Sequence, residues 1–209
     1  MSKKITNNQH NDHEFVEIAG TKWATCNVGA DKPTDTGLYF QWGDRKGYTA
    51  DEVGKIKRFD WKHYKHYNGE RLTKYTVLDN KQVLDLCDDA AFSYMGHGWR
   101  MPTQDDFRCL FESTTHRWTD NYQGSSVVGM VLTDITDNTK ELFFPAAGFC
   151  VDGIMNPVYG IGNYWAMPLC SENMFYAHRL FFRFNYEYGY WNSYCDRRYG
   201  FPVRGILTV

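Results

Sequence analysis

The residues with the clearest chemical potential lie near the C-terminus, in the stretch FRFNYEYGYWNSYCDRRYG at positions 182–200. This stretch contains eight aromatic side chains, three arginines and one cysteine. Rigid aromatics separated by Ser, Asn and Gly give contact area at low entropic cost, as in antibody paratopes. Aromatic and arginine side chains also dominate binding hot spots. The composition therefore indicates a surface that recognises a ligand.

Cys195 offers a second kind of chemistry. Arg197 and Arg198 follow it closely, and neighbouring cations can lower the pKa of a thiol and generate a reactive thiolate. The sequence contains no GxSxG, HExxH or phosphate-loop motif. We therefore expect no enzymatic activity, with a cysteine-dependent reaction at Cys195 as the alternative.

Two groups of side chains could ligate a metal. His63 and His66 would share a face of a helix, and Asp85, Asp88 and Asp89 could supply the hard oxygens that calcium prefers. Two histidines without a nearby carboxylate are usually surface residues, and carboxylates early in a helix complement its dipole. We expect neither a metal nor another cofactor.

Composition limits the class of protein. The chain has 209 residues and a formal net charge of −2, which suits one domain and argues against binding of nucleic acid. The six cysteines include no CxxC pair, which argues against a zinc site, and the lack of a signal peptide favours reduced thiols over a disulfide framework. No run is long enough to span a membrane, and we expect no membrane insertion.

The N-terminal residues 1–13 are polar and lack the apolar segment of a signal peptide. They predict a disordered tail and synthesis in the cytoplasm. The final location stays unknown, because display on a particle or cell surface by another route is open.

The pattern of the remaining chain predicts short strands, two helices and then more strands. A long irregular insertion is expected at 46–82. The helices are expected at Leu84–Tyr94 and directly after Thr103, where Asp106 completes a capping box. This order predicts an α+β fold in which two helices accompany a small antiparallel sheet and long loops.

Five motifs occur in a characteristic order: GTKWATCNVGA, GHGWRMPTQDDF, LFFPAAGF, GNYWA and RYGFPVRGI. Together they resemble the bacterial major paralogous domain family, a branch of the C-type lectin fold related to formylglycine-generating enzyme. The resemblance covers residues 14–209 and implies a single C-type-lectin-like domain. It also implies that Trp23, Trp42, Trp99 and Trp165 belong to the scaffold.

This family includes the variable proteins of diversity-generating retroelements, in which a reverse transcriptase miscopies adenines of a template repeat. The resemblance implies that residues 164–199 form a variable ligand-binding segment. Randomised AAC or AAT codons cannot encode Lys or Gln, and residues 166–199 contain neither. Glu187 and Trp191 do not fit such codons and would be fixed template residues.

Two departures from related proteins affect the expected activity. The calcium-binding motif of sugar-binding lectins is absent, since YWNS at Tyr190–Ser193 lacks the carboxylate. The oxidase branch uses two nearby cysteines, but only Cys195 is present and position 200 is glycine. A formylglycine-generating-type oxidase and an adhesive tip subunit stay open as alternatives to a diversified binder.

The expected partner is a protein or glycan, and a monomer is favoured over an oligomer. Strand alternation predicts that Leu180, Phe182 and Phe184 face one side and Phe181 and Arg183 the other. The predicted ligand-binding residues are Met167, Leu169, Cys170, Phe175, Tyr176, His178, Phe181, Arg183, Tyr186, Tyr188, Tyr190, Trp191, Asn192, Ser193, Tyr194, Asp196 and Arg197.

Overall fold

The computed structural model describes residues 8–157, 160–184 and 190–208, with backbone alone at residues 8 and 190–192. Within these residues the protein is mostly β, because thirteen strands form four antiparallel sheets and the three α-helices have only six to nine residues each. The predicted α+β C-type-lectin-like fold, with two helices and one small sheet, is therefore wrong as a fold class. Frequent Gly, Asn and Asp turns interrupt the chain after a few residues, which favours short strands over long helices.

The strands define the four sheets. The first sheet has the order β1-β2-β3-β13-β4, the second β10-β11-β12, the third β5-β6-β7 and the fourth β8-β9. The strands are β1 (Asn8–His10), β2 (His13–Ile18), β3 (Thr21–Asn27), β4 (Trp99–Arg100), β5 (Thr114–Thr119), β6 (Gly129–Asp134), β7 (Glu141–Pro145), β8 (Phe149–Val151), β9 (Ile154–Asn156), β10 (Ile161–Leu169), β11 (Tyr176–Arg183), β12 (Tyr190–Asp196) and β13 (Arg204–Leu207).

Helix α3 (Gln104–Glu112) begins as the sequence predicts. The Thr103 side chain accepts from the Asp106 backbone N–H, and the Asp106 carboxylate accepts from the Thr103 N–H at 2.7 Å. This reciprocal capping box satisfies two N-terminal donors. The side chains of Phe107, Leu110 and Phe111 on its inner face are buried.

The other helices differ from the prediction. Asp89 has an extended backbone and caps α2 (Ala90–Met95), so the predicted helix at Leu84–Tyr94 is split into a short 3-10 turn and a single short α-helix. Helix α1 (Ala50–Ile56) lies in the insertion and was missed, because Gly54 and charged residues hide its one buried position, Val53.

The core is rich in tryptophan, as predicted. Trp23, Trp42, Trp99 and Trp165 are each at most 1% exposed, and Val203 is fully buried. Strand β13 lies inside the first sheet, between β3 and β4, so the C-terminal end of the chain completes this sheet.

Part of the segment predicted to be a tail is ordered in the first sheet. Strand β1 pairs with β2 through Asn8–Phe15, Gln9–Glu14 and His10–His13. Residues 1–7 lie outside the described part of the chain. Among the described residues, no helix is long and apolar enough to cross a membrane.

Candidate ligand-binding surface

The predicted ligand-binding residues lie mainly on the three-stranded sheet β10-β11-β12. Directly paired residues share one side of an antiparallel sheet, and neighbouring residues alternate. Arg179 pairs with Trp165 on one flank and Ser193 on the other, whereas Leu180 pairs with Tyr164. The sheet therefore has two different sides, and the predicted site residues are divided between them.

Both sides are packed in part: one faces helix α3 and one part of the core, and the other holds the fully buried Trp165 and Ala177 in a second part. Tyr164, Leu180 and Phe182 are fully buried, and they pack with Phe107 of α3. The predicted alternation is confirmed for Leu180 and Phe182. Its third member, Phe184, was predicted to share their side, but it follows the end of β11 and is 44% exposed.

Met167, Leu169 and Cys170 were predicted to contact ligand, but they are at most 7% exposed. Strand β10 is enclosed because loops cover its second edge, where the Met167 N–H donates to Pro102 O at 2.8 Å and the Leu169 N–H to Gln82 O at 2.8 Å. These contacts come from distant parts of the chain, so local sequence does not reveal them.

Arg197 is also buried and has a structural role. Its guanidinium donates to Lys74 O at 2.9 Å and to Tyr75 O at 3.1 Å, and it lies 5.3 Å from the Tyr64 ring centroid. Arg197 thus joins the C-terminal segment to the insertion at 46–82. This contact removes it from the set of residues that can reach a ligand.

The second side of the sheet carries a group that we call the arginine face, formed by Asn163, Arg179, Phe181, Arg183 and Ser193. Phe181 pairs with Asn163 on β10, and Arg183 lies exposed at the end of β11. Strand β12 has one extra residue between the partners of Arg179 and Phe181, which is a β-bulge. Bulges change the direction in which side chains point.

Arg179 is the centre of the arginine face. Its Nε donates to Ser193 Oγ at 3.2 Å, and its Nη1 donates to Asn163 Oδ1. Its guanidinium carbon lies 5.0 Å from the Phe181 ring centroid and 5.4 Å from that of Phe201. Burial lowers the pKa of Arg179, although arginine stays protonated in proteins. The site therefore has a fixed positive charge beside aromatic rings.

A second patch, the helix-side edge, consists of Gln104, Tyr176, His178 and Tyr194. The Gln104 amide donates to His178 Nδ1 at 2.8 Å. The Tyr194 ring centroid lies 5.9 Å from that of Tyr176 and 6.2 Å from that of His178. Tyr194 is 49% exposed, so this edge presents an aromatic surface to solvent.

Phe175 belongs to a separate aromatic cluster with residues of the insertion. Its ring meets Trp61 edge to face at 5.4 Å, and Trp61 also packs against Tyr64 and Tyr67. Phe175 is 42% exposed. The insertion therefore contributes to the surface beside the predicted variable segment.

Asp196 pairs with Tyr176 in the strand register and accepts from Arg198 Nε at 3.1 Å. Five predicted residues remain without described side chains. Tyr186 and Tyr188 lie outside the described residues, and Tyr190, Trp191 and Asn192 are described only as backbone of β12.

Cys195 does not have the properties of an activated thiol. Burial raises its pKa, and the positive charge of Arg179 offsets this effect only in part. Arg197, which was expected to lower the pKa, instead donates to backbone carbonyls of the insertion. Because a protonated thiol is a poor nucleophile, the geometry gives no support to a reaction at Cys195.

The two candidate histidine ligands do not form a site. His63 Nδ1 donates to Asp60 Oδ1 at 2.8 Å, whereas His66 is buried with its Nε2 3.1 Å from Gly43 O. Burial lowers the pKa of His66. Each ring therefore serves local structure.

The acidic cluster is neutralised by lysines. Ligand atoms of Asp85, Cys87 and Asp88 lie within 4.8 Å of one another. Lys74, however, forms ion pairs with both carboxylates, and Lys65 approaches Asp88 to 2.6 Å. Burial alone would raise the pKa of Asp88, but hydrogen bonds from these lysines and a tyrosine hold it well below its usual range. The cluster is an ion-pair network.

Asp89, the third carboxylate considered as a calcium ligand, points elsewhere. It accepts from the Phe92 N–H at 3.0 Å and from the Met101 N–H at 2.8 Å. Burial raises the pKa of Asp89 to about 6. Its role is to cap α2 and to hold the start of the segment that leads to α3.

Sequence reasoning missed Arg179, Asn163, Gln104 and Trp61. Arg179 could have been found by extending the alternation of Phe181 and Arg183 by two residues along β11. Asn163, Gln104 and Trp61 could not, because tertiary contacts bring them to the sheet.

No family model, curated protein or solved structure matches this chain. The assignment of function therefore depends on the geometry described above and on the order of the sequence motifs.

Proposed function

We propose that this chain is a ligand-binding protein whose C-terminal segment is diversified by a retroelement. The binding side chains would be the exposed positions of β11, β12 and the turn before β11. Substitution at these positions would change specificity, while the buried positions of the same strands maintain the fold. A protein ligand suits exposed aromatic and arginine side chains, which are enriched at protein interfaces and among their hot spots.

One observation carries this proposal: exposed and buried side chains are interleaved along a single rigid strand. In β11, Leu180 and Phe182 are fully buried. Phe181, which lies between them, is partly exposed, and Arg183, which follows them, is exposed. Exposed side chains on a packed strand can be exchanged with little effect on stability, since surface substitutions usually change it by less than about 0.5 kcal/mol.

Exposed aromatic side chains near this strand support a binding role. Phe175 and Tyr194 are 42% and 49% exposed, and Phe184 is 44% exposed. Aromatic side chains are enriched among the residues that anchor protein interfaces. These residues lie on different patches, so different ligands would use different parts of the segment.

A display library tests the proposal without knowledge of the natural ligand. The library randomises the codons of five residues whose side chains are at least partly exposed. Within each codon, the randomised bases are those that adenine-specific miscopying by the reverse transcriptase would change. The positions are Phe175, Tyr176, His178, Phe181 and Tyr194. We expect most displayed variants to resist protease, and we expect binders of two unrelated proteins to be selectable.

A matched control library randomises five buried positions in the same segment. The positions are Met167, Leu169, Leu180, Phe182 and Arg197. We expect at least tenfold fewer protease-resistant variants, because each position is packed in the core. Equal resistance of the two libraries, or failure to select any binder from the first, would contradict the proposal.

A further inference from the structure

Arginines near the C-terminus fall into two kinds. Arg197 and Arg204 are fully buried, and their described acceptors are backbone carbonyls and the Asn27 side chain. Arg198 forms ion pairs with Asp152 and Asp196. These three guanidinium groups have acceptors that explain them as parts of the scaffold.

Arg179 differs from all three. Among the described residues, no carboxylate forms an ion pair with it, and its acceptors are the neutral side chains of Asn163 and Ser193. Its Nη2 has no described acceptor and is not one of the buried polar atoms that lack a partner. Nη2 therefore retains some access to solvent, although the Arg179 side chain as a whole is only partly exposed.

The position of the guanidinium is fixed in advance. Asn163 is 1% exposed, and its Nδ2 donates to Gly148 O at 3.1 Å, so its Oδ1 is held in place to accept from Arg179. Ser193 holds the Nε on the opposite strand. A preorganised group loses less entropy when a ligand binds.

The surroundings strengthen attraction for an anion. Phe181 and Phe201 lie beside the guanidinium, and Tyr199 packs against Phe201 at 6.2 Å. Apolar walls lower the local dielectric and increase the interaction between charges. The planar terminal edge of arginine matches the two oxygens of a carboxylate.

We propose that Arg179 is the anchor of the arginine face and binds a carboxylate group of a peptide ligand, with an adjacent aromatic or apolar side chain of the ligand beside it. This inference rests on the proposed binding function and adds the chemical class of the contact. The carboxylate could belong to an acidic side chain or to a chain terminus, which offer the same chemistry.

The test uses the full chain and small peptide probes; calorimetry measures the affinity of the wild type and of every variant, and the NMR resonance of the Arg179 Nε–H reports the contact in the wild type. N-acetylphenylalanine supplies a terminal carboxylate, and N-acetylphenylalanyl-aspartic diamide, with its backbone terminus amidated, supplies a side-chain carboxylate. N-acetylphenylalaninamide is the neutral control. We expect a saturable shift with at least one acidic probe, at an affinity at least tenfold above that of the neutral probe.

Variants determine whether Arg179 causes the effect. Arg179→Met should lose binding at least tenfold, and Arg179→Lys should lose it several-fold while keeping the charge and the fold. Arg117→Met, at an exposed arginine on β5, should bind like the wild type. Equal binding of the neutral probe, or unchanged binding by both Arg179 variants, would overturn the proposal.

The result is separable from the test of diversification. If acidic probes bind at Arg179 but the exposed codons tolerate no change, the carboxylate site is retained and the diversified binder is rejected. A tolerant library without any shift at Arg179 would reject the carboxylate site alone.

Discussion

At the scale of single residues, burial decides which parts of the C-terminal segment can touch a ligand. Arg197 and Arg179 have the same side chain, but the first is fully buried with backbone carbonyls of the insertion as acceptors, and the second is partly exposed with side-chain acceptors. Residue type therefore predicts the chemistry available to the segment, and tertiary contacts decide where that chemistry is used.

Arg197→Met is expected to destabilise the fold without a direct effect on a ligand. The substitution leaves Lys74 O and Tyr75 O without their described donor and removes a cation beside the rings of Trp42 and Tyr64. We expect the free energy of unfolding to fall by roughly 2–4 kcal/mol, measured by urea denaturation. Arg117→Met, at an exposed position, should change it by less than about 0.5 kcal/mol; equal effects would contradict the structural role.

Asp89 should give the protein a distinctive dependence on pH. Its pKa is about 6 in the folded protein and about 3.9 in an unfolded chain, so the folded state binds the additional proton between these values. The wild type should therefore gain stability relative to Asp89→Asn as the pH falls through 6. Between pH 7.5 and 4.5 the relative gain should be about 2 kcal/mol.

Asp88→Asn is the matched control for this measurement. The pKa of Asp88 is lowered in the folded protein, so its contribution is present above the unfolded value of about 4 and is lost at lower pH. The difference between this variant and the wild type should change little between pH 7.5 and 4.5. A parallel response of the two variants would show that the burial of Asp89 has no energetic consequence.

At the scale of elements, strand β11 carries framework residues on both of its sides, because Leu180 and Phe182 pack towards α3 and Ala177 is fully buried on the opposite side. Its core-facing residues pack under α3, whose capping box fixes the start of the helix. The strand therefore has a defined register, because a shift by one residue would expose Leu180 and Phe182.

Two phenylalanines at the end of this strand test the separation. Phe182 is fully buried and Phe184 is 44% exposed. We expect Phe182→Ala to lower the free energy of unfolding by about 3–5 kcal/mol, and Phe184→Ala to lower it by less than about 1 kcal/mol. Thermal and urea unfolding of the two variants measure the difference; similar losses would mean that both rings belong to the core.

The sequence predicted some elements well and others poorly. Helix α3 was predictable because Thr103 and Asp106 encode its start locally. The enclosure of β10 was not, because its covering loops come from residues 82 and 102. The predicted α+β fold class was wrong because the helix signals encode only helices of six to nine residues, whereas short strands build four sheets in the described part of the chain.

At the scale of the whole molecule, the insertion and the C-terminal segment form one unit. Arg197 donates to the insertion, and Trp61 of the insertion packs against Phe175. Among the residues with described side chains, Phe175, Phe184 and Tyr194 expose aromatic rings on separate patches around the sheet rather than on one continuous interface. This distribution favours contact with ligands over tight self-association.

We therefore expect a monomer of 24.5 kDa at micromolar concentration. Light scattering coupled to size-exclusion chromatography measures the mass directly. A stable oligomer, dissociated by Tyr194→Asp or Phe175→Asp, would instead favour the adhesive tip subunit, whose aromatic side chains are buried between subunits.

The central claim is that exposed positions of the C-terminal segment vary while buried ones do not. Sequencing the 3′ end of the gene across a population of source cells tests it most directly, because Phe181 and Phe182 are adjacent and differ in burial. We predict substitutions at codon 181 and other exposed codons, at positions that are adenine in a nearby near-repeat, and none at codon 182. An invariant segment, or equal variation at codons 181 and 182, would contradict the account.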